Sequence, residues 1–279
     1  MLKRIPILAL LAVSAFSPVW AQESGQGNNR LQNAGLGDGP VFHVPLNGMV
    51  DNALARYIDR AVGEAEEARA SVVVFEIDTF GGLVDAADLI RGTILDAPIP
   101  TVAFINKNAA SAGALISYAN DIIVMAPGSS IGAATAVDAT GTYASEKVQS
   151  YMRSLMRSTA EANGRDTRIA EAMVDDTLAV PGVVESGQLL SLTASEALDL
   201  DVADGIFTTA PEVYDALGVG SRNIVAHNAS AVERLLRFLG SPIVASILML
   251  MMMGGLYFEL QTPGVGFAGL MAFAGAALF

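Results

Sequence analysis

The chain has no cysteine and only three lysines, Lys3, Lys107 and Lys147. Without cysteine there is no disulfide framework, no thiolate nucleophile and no cysteine-type zinc site. There are two histidines, His43 and His227. Neither has the spacing of a familiar serine–histidine triad, so each reads as structural or exposed. Positive charge is scarce as well: the formal charge is −13 and no basic cluster interrupts it, which argues against a nucleic-acid partner. Gly-x-Gly-x-x-Gly is missing from the strand turns and Gly-x-x-x-x-Gly-Lys-Ser/Thr from the chain, so nucleotide binding has little support.

Apolar residues, in contrast, make up 52% of the 279 positions. That length accommodates one domain of roughly 150–200 residues with extra segments. Lys3-Arg4, the apolar run Ile5 to Phe16 and the small residues before Ala21 form a signal peptide, residues 1–21. An uncleaved anchor is the alternative, for which the run is short. Residues 22–40, rich in Gly, Asn and Gln, read as a disordered lead-in. At the other end, Ile243 to Phe258 and Val265 to Phe279 are two uncharged apolar runs separated by Glu259 and Thr262-Pro263-Gly264. They imply a transmembrane region over 241–279, cut off inside its second run, as in a fragment of a longer membrane protein. Arg222, Arg234 and Arg237 before it favour a cytoplasmic flank, against the export signal. The signal peptide is given precedence, which places the domain outside the cytoplasm.

Between these ends the pattern alternates. Val41 to Pro45, Ser71 to Ile77, Thr101 to Ile105 and Asp121 to Met125 read as strands. Asp51 to Ala68, Val84 to Leu95, Ala112 to Ala119 and Lys147 to Ala162 read as helices, the first with Leu54, Ile58, Ala61, Val62 and Ala65 on one face. Asn106-Lys-Asn108 reads as a polar turn, Pro127 to Gly132 as a loop, and Ala133 to Ser145 as a Gly/Thr-rich loop. Such alternation implies a parallel α/β architecture, with ligand sites at the carboxyl ends of the strands.

Small residues gather at those ends. Ser111 lies in Asn108-Ala-Ala-Ser-Ala-Gly113 at a strand-to-helix turn, a place that exposes a nucleophile and lets a substrate backbone approach. Gly81-Gly82 ends the preceding strand and can offer backbone N–H groups to an oxyanion. A serine hydroxyl needs a base. With Lys3 in the signal peptide, Lys147 and, as runner-up, Lys107 remain. A catalytic lysine must be neutral, which requires an apolar setting; Val148, Met152, Leu155 and Met156 lie near enough in sequence to supply one. Together these features suggest a serine–lysine hydrolase.

The order Gly81-Gly82, Ala110-Ser-Ala-Gly113, Ala126-Pro-Gly-Ser-Ser-Ile-Gly132, Lys147 and Asn163-Gly-Arg165 resembles the NfeD-type membrane serine proteases. These have the ClpP/crotonase fold of repeated β-β-α layers and are similar to signal peptide peptidase A. The likeness covers about Val41 to Phe207 and the membrane run after Ser241, with Thr193 to Gly205 similar to the segment that closes the family's domain. The resemblance implies a protease domain over 41–215 and a linker over 216–240. It makes Ser111 the nucleophile and Lys147 the base, placed by its distance from Asn163-Gly-Arg165. Gly81, Gly82 and Ala112 then form the oxyanion hole. Phe80 stands where the family usually has proline. No metal or organic cofactor is implied. The implied substrates are apolar segments of membrane-linked proteins, including stomatin-like partners, and the implied assembly is at least a dimer. A catalytically silent scaffold binding a stomatin-like protein is the main rival; a crotonase-like acyl-CoA enzyme is a weaker one, because CoA chemistry is cytoplasmic.

Overall fold

The computed structural model describes residues 30–138, 140–261 and 266–278. The expected signal peptide, residues 1–21, and residues 22–29 of the lead-in lie outside the described residues. An eight-stranded sheet runs in the order β6-β5-β3-β2-β1-β8, with β4 and β7 continuing from one half of β3. Its centre is β1 (Val41–Asn47), β2 (Val72–Thr79) and β3 (Thr101–Ala110), all parallel. β4 (Ile122–Met125) pairs with the first half of β3 and β5 (Ser130–Gly132) with the second. β6 (Ser191–Thr193) is antiparallel to β5, while β7 (Gly205–Ile206) and β8 (Ile224–Ala226) extend the edges in parallel.

The β-branched runs are buried because both faces of the sheet are covered, as expected for a parallel sheet. On one face lie α1 (Asn52–Glu67), α2 (Val84–Leu95), α3 (Ala112–Tyr118), α4 (Glu146–Ala162), α5 (Thr167–Ala172) and α6 (Ala194–Asp199). On the other, α7 (Ala210–Ala216) and Leu31 cover Val72, Val74, Val102 and Phe104. The Asp51 carboxylate caps α1 by accepting from the Leu54 N–H at 2.7 Å, and the apolar face expected of this helix is buried.

Four expectations need correction. Asn106-Lys-Asn108 is no turn: β3 runs on to Ala110. Its polar side chains are satisfied across the sheet, Asn106 donating to Glu76 at 2.5 Å and Asn108 to Asp78 at 3.1 Å. The loop Pro127 to Gly132 likewise ends in β5. The lead-in is ordered from Arg30 onward, because Leu31 joins the second core and Arg30 pairs with Asp204. The linker 216–240 contains β8 and a helix, α8 (Ala231–Leu239), since β8 finds a free edge on β1.

Asn163-Gly-Arg165 acts as a clasp. The Arg165 guanidinium donates to Asp204 at 2.7 Å with both side chains fully buried, and to the Val202 carbonyl at 3.0 Å. Asp204 in turn accepts from the Ile123 N–H of β4. Both charges are therefore paired and hydrogen-bonded, the condition under which buried ions are tolerated. Beyond α8, α9 (Pro242–Gln261) contains a 19-residue stretch long and apolar enough to cross a membrane. α10 (Phe267–Leu278) is shorter and packs back on it, backbone close to backbone at Gly255 and Gly275.

Candidate active site

The site lies at the carboxyl ends of β2 and β3. Ser111 follows β3 directly and precedes α3, with φ 56° and ψ −119°, a conformation that L-residues rarely adopt. The backbone is held there by the Ser111 N–H donating to the Gly132 carbonyl of β5 at 2.9 Å. The Ser111 hydroxyl makes no hydrogen bond among the described residues and the side chain is half-buried. Ala114 and Leu115 donate back to the Ser111 carbonyl, so the N–H groups of Ala112 and Gly113 are left over at the start of the helix.

The Gly-Gly turn meets this serine. A side chain on Gly81 would have its Cβ 2.6 Å from the Ser111 Cβ, so the two residues are in backbone-to-side-chain contact. The Gly81 N–H is already engaged, donating to Thr79 Oγ1 at 3.0 Å, and the Gly81 carbonyl accepts from Val50. Among the described residues the Gly82 N–H has no acceptor. Gly82 and Ala112, each next in sequence to a residue of this contact, therefore keep unengaged N–H groups.

Thr79 and Val50 were not legible as site residues. Thr79 Oγ1 also donates to the Gly48 carbonyl at 2.5 Å, and Val50 forms a parallel bridge with Gly82. A threonine two residues before a glycine turn is the only sequence signal for the first. The second requires the fold. Phe80 is 79% exposed and stands with exposed Met49 and Leu83, so the turn has an apolar rim.

The lysines are placed differently. Lys107 extends from β3 to within 3.6 Å of the Asp78 carboxylate and is 68% exposed. Lys147 is exposed in the first turn of α4, and makes no hydrogen bond or ion pair among the described residues. The apolar setting expected for it is absent, because Met152, Leu155 and Met156 face the core from the opposite side of the helix. Before it, Val137 and Tyr143 bridge to form a short hairpin, with both side chains exposed. The histidines are structural. His43 is wedged between Tyr214 and Glu76, and buried His227 between Arg60 and Glu64. No grouping of acidic residues and histidine suited to a metal occurs among the described residues.

The mixed α/β sheet thus ends in a strained serine turn set against a glycine turn. The chain is a member of the NfeD1b family, whose N-terminal domain matches residues 40–227. It is 34% identical over 240 residues to membrane protein NfeD1b of Bacillus subtilis, covering 86% of this chain and 55% of that protein. It is 26% identical over 236 residues to membrane-bound protease PH1510 of Pyrococcus horikoshii, covering 80% and 54%. The chain therefore spans about half the length of the curated relatives it matches. Among solved structures, a lysine-to-alanine mutant of the 1510-N membrane-bound stomatin-specific protease, in complex with a substrate peptide, superposes with a TM-score of 0.61. That match is 25% identical and covers 73% of this chain and 99% of that one. A serine-to-alanine mutant of the same protease shares the fold, with a TM-score of 0.59 at 24% identity, covering 70% and 100%.

Proposed function

We propose that this chain carries the catalytic domain of a membrane-bound serine endopeptidase, with Ser111 as nucleophile and Lys147 as general base. The observation that carries the reading is the strained Ser111 turn, its hydroxyl unengaged and the free N–H groups of Gly82 and Ala112 beside it. The neutral Lys147 amine takes the Ser111 proton as Oγ bonds to the peptide carbonyl carbon. The two N–H groups receive the oxyanion. Collapse breaks the C–N bond, and the Lys147 ammonium returns its proton to the leaving amine. Water then cleaves the ester by the same route.

Lys147 must be desolvated for this, and an exposed amine is not. An apolar substrate segment, or a second copy of the chain, closing over the Val137–Tyr143 hairpin would provide the desolvation. The apolar rim of Met49, Phe80 and Leu83 suits such a segment. The relatives add a stomatin-like protein as the partner, and the export signal adds an extracytoplasmic domain above a membrane anchor. A silent scaffold is favoured by one observation, the separation of Lys147 from any partner group.

The deciding experiment is cleavage of apolar peptides from a stomatin homologue by the full chain in detergent, beside Ser111→Ala and Lys147→Ala. Loss of cleavage in both variants, with circular dichroism unchanged, supports the dyad. Cleavage that survives Ser111→Ala overturns it, and a folded parent without cleavage favours the scaffold.

A further inference from the structure

The loop after β1 gives up four successive carbonyls to the structure around it. Gly48 accepts from Thr79 Oγ1 at 2.5 Å, and Val50 accepts from the Leu83 N–H at 2.8 Å. The other two, Asn47 and Met49, accept from one side chain: Arg237 Nη2 donates to them at 2.9 and 3.3 Å. Arg237 lies in the last turn of α8, and its Nε is 3.9 Å from the Asp51 carboxylate that caps α1. The same loop holds the glycine turn, because the Val50 N–H donates to the Gly81 carbonyl at 3.0 Å. A carbon added to Gly82 would fall 2.1 Å from the Val50 carbonyl oxygen, so loop and turn move together or not at all.

α8 is otherwise attached to the domain through Glu233, which accepts both Nε and Nη2 of Arg60 on α1. Its apolar side chains Val232, Leu235, Leu236 and Phe238 are exposed, and two residues, Gly240 and Ser241, separate its end from α9. A helix with this pattern at this place is suited to lie along a bilayer surface.

We propose that Arg237 is a positioning residue for the Gly82 oxyanion donor, through which the membrane-proximal helix holds the catalytic turn. One guanidinium nitrogen bridges two carbonyls of a loop whose residues 47–49 are exposed. The loop fixes Gly81 and Gly82 through the Val50 bridge, and a donor misplaced by a fraction of an ångström loses much of its worth to the transition state. The inference rests on the oxyanion reading of Gly82, and the experiment separates the two.

Arg237→Gln and Arg237→Lys are made in the full chain in detergent. Arg237→Gln is expected to lower kcat on an apolar peptide about 10- to 100-fold with KM within about twofold, and Lys to recover part of it. Amide exchange at Val50 and Leu83 is measured in the same variants on a Ser111→Ala background, where no catalysis is needed. It is expected to speed up at least fivefold in Arg237→Gln while the β1–β2 ladder stays protected. Unchanged exchange at both amides overturns the latch whether or not the protein is a protease. Faster exchange with unchanged kcat, in a protein that Ser111→Ala inactivates, overturns the catalytic role of Arg237. Cleavage that persists in Ser111→Ala itself removes the oxyanion reading and leaves only the mechanical link.

Discussion

Gly81 touches Ser111 so closely that a methyl group on it would lie 2.6 Å from the serine Cβ and 2.9 Å from Oγ. Its φ of 105° is also one that alanine avoids. Gly81→Ala is therefore expected to abolish peptide cleavage and to destabilise the fold by about 1–3 kcal/mol. Thermal unfolding beside a cleavage assay checks both. An active Gly81→Ala would mean that the serine does not react from this geometry.

Ser111 is held at φ 56°, and glycine adopts that conformation without strain. Ser111→Gly and Ser111→Ala should be equally inactive but unequally stable, the glycine variant unfolding at a higher urea midpoint, with an unfolding free energy about 1 kcal/mol larger. Equal midpoints would show that the turn stores no strain.

The two lysines should separate cleanly. Lys107 makes one exposed ion pair with Asp78, and Lys107→Ala should change stability by less than about 0.5 kcal/mol and leave cleavage intact. Lys147→Ala should leave stability untouched and remove cleavage. An inactive Lys107→Ala would move the base to that residue.

Docking of α8 should depend on acid. Hydrogen bonds from Arg60 hold the Glu233 carboxyl well below its ordinary 4.5, at about 2, with further help from Ser230. The same arginine lowers Glu64, beside which His227 sits. A depressed carboxylate adds stability above its unfolded pKa and loses it as pH falls towards its folded one. The exchange protection factors of Ala231–Leu239, with the intrinsic pH dependence of amide exchange divided out, should thus be constant from neutral pH to about 4.5 and fall progressively between about 4.5 and 2. Glu233→Gln should show the low protection factor already at pH 7 and little further change on acidification; a variant that still loosens in the same window would assign the effect to other groups.

Much of this architecture could be read from the chain because its signals are local. The β-branched run at Val72 to Ile77 and the amphipathic spacing from Leu54 to Ala65 each report their own burial. The small residues at Gly81, Gly82 and Ser111 report a close approach. The remainder depends on partners distant in sequence. Asn106 and Asn108 look like a turn until Glu76 and Asp78 stand opposite them, and Arg30 looks unstructured until Asp204 is placed. Exposure of Lys147 is also tertiary, since its neighbours in sequence are apolar but occupy the other side of the helix.

Arg237 reaches the carboxyl end of β1, so the end of the sheet that bears Ser111 is also the end near which the chain passes on to its candidate membrane-spanning helix. For a protease on this plan the search for substrate becomes two-dimensional. A target anchored in the same bilayer stays within a fixed, short height of the nucleophile, and its encounter rate follows its density in the membrane rather than its concentration in solution. Soluble proteins of the same sequence preference would rarely be met at that height. Selectivity would then come as much from where the serine is held as from what surrounds it.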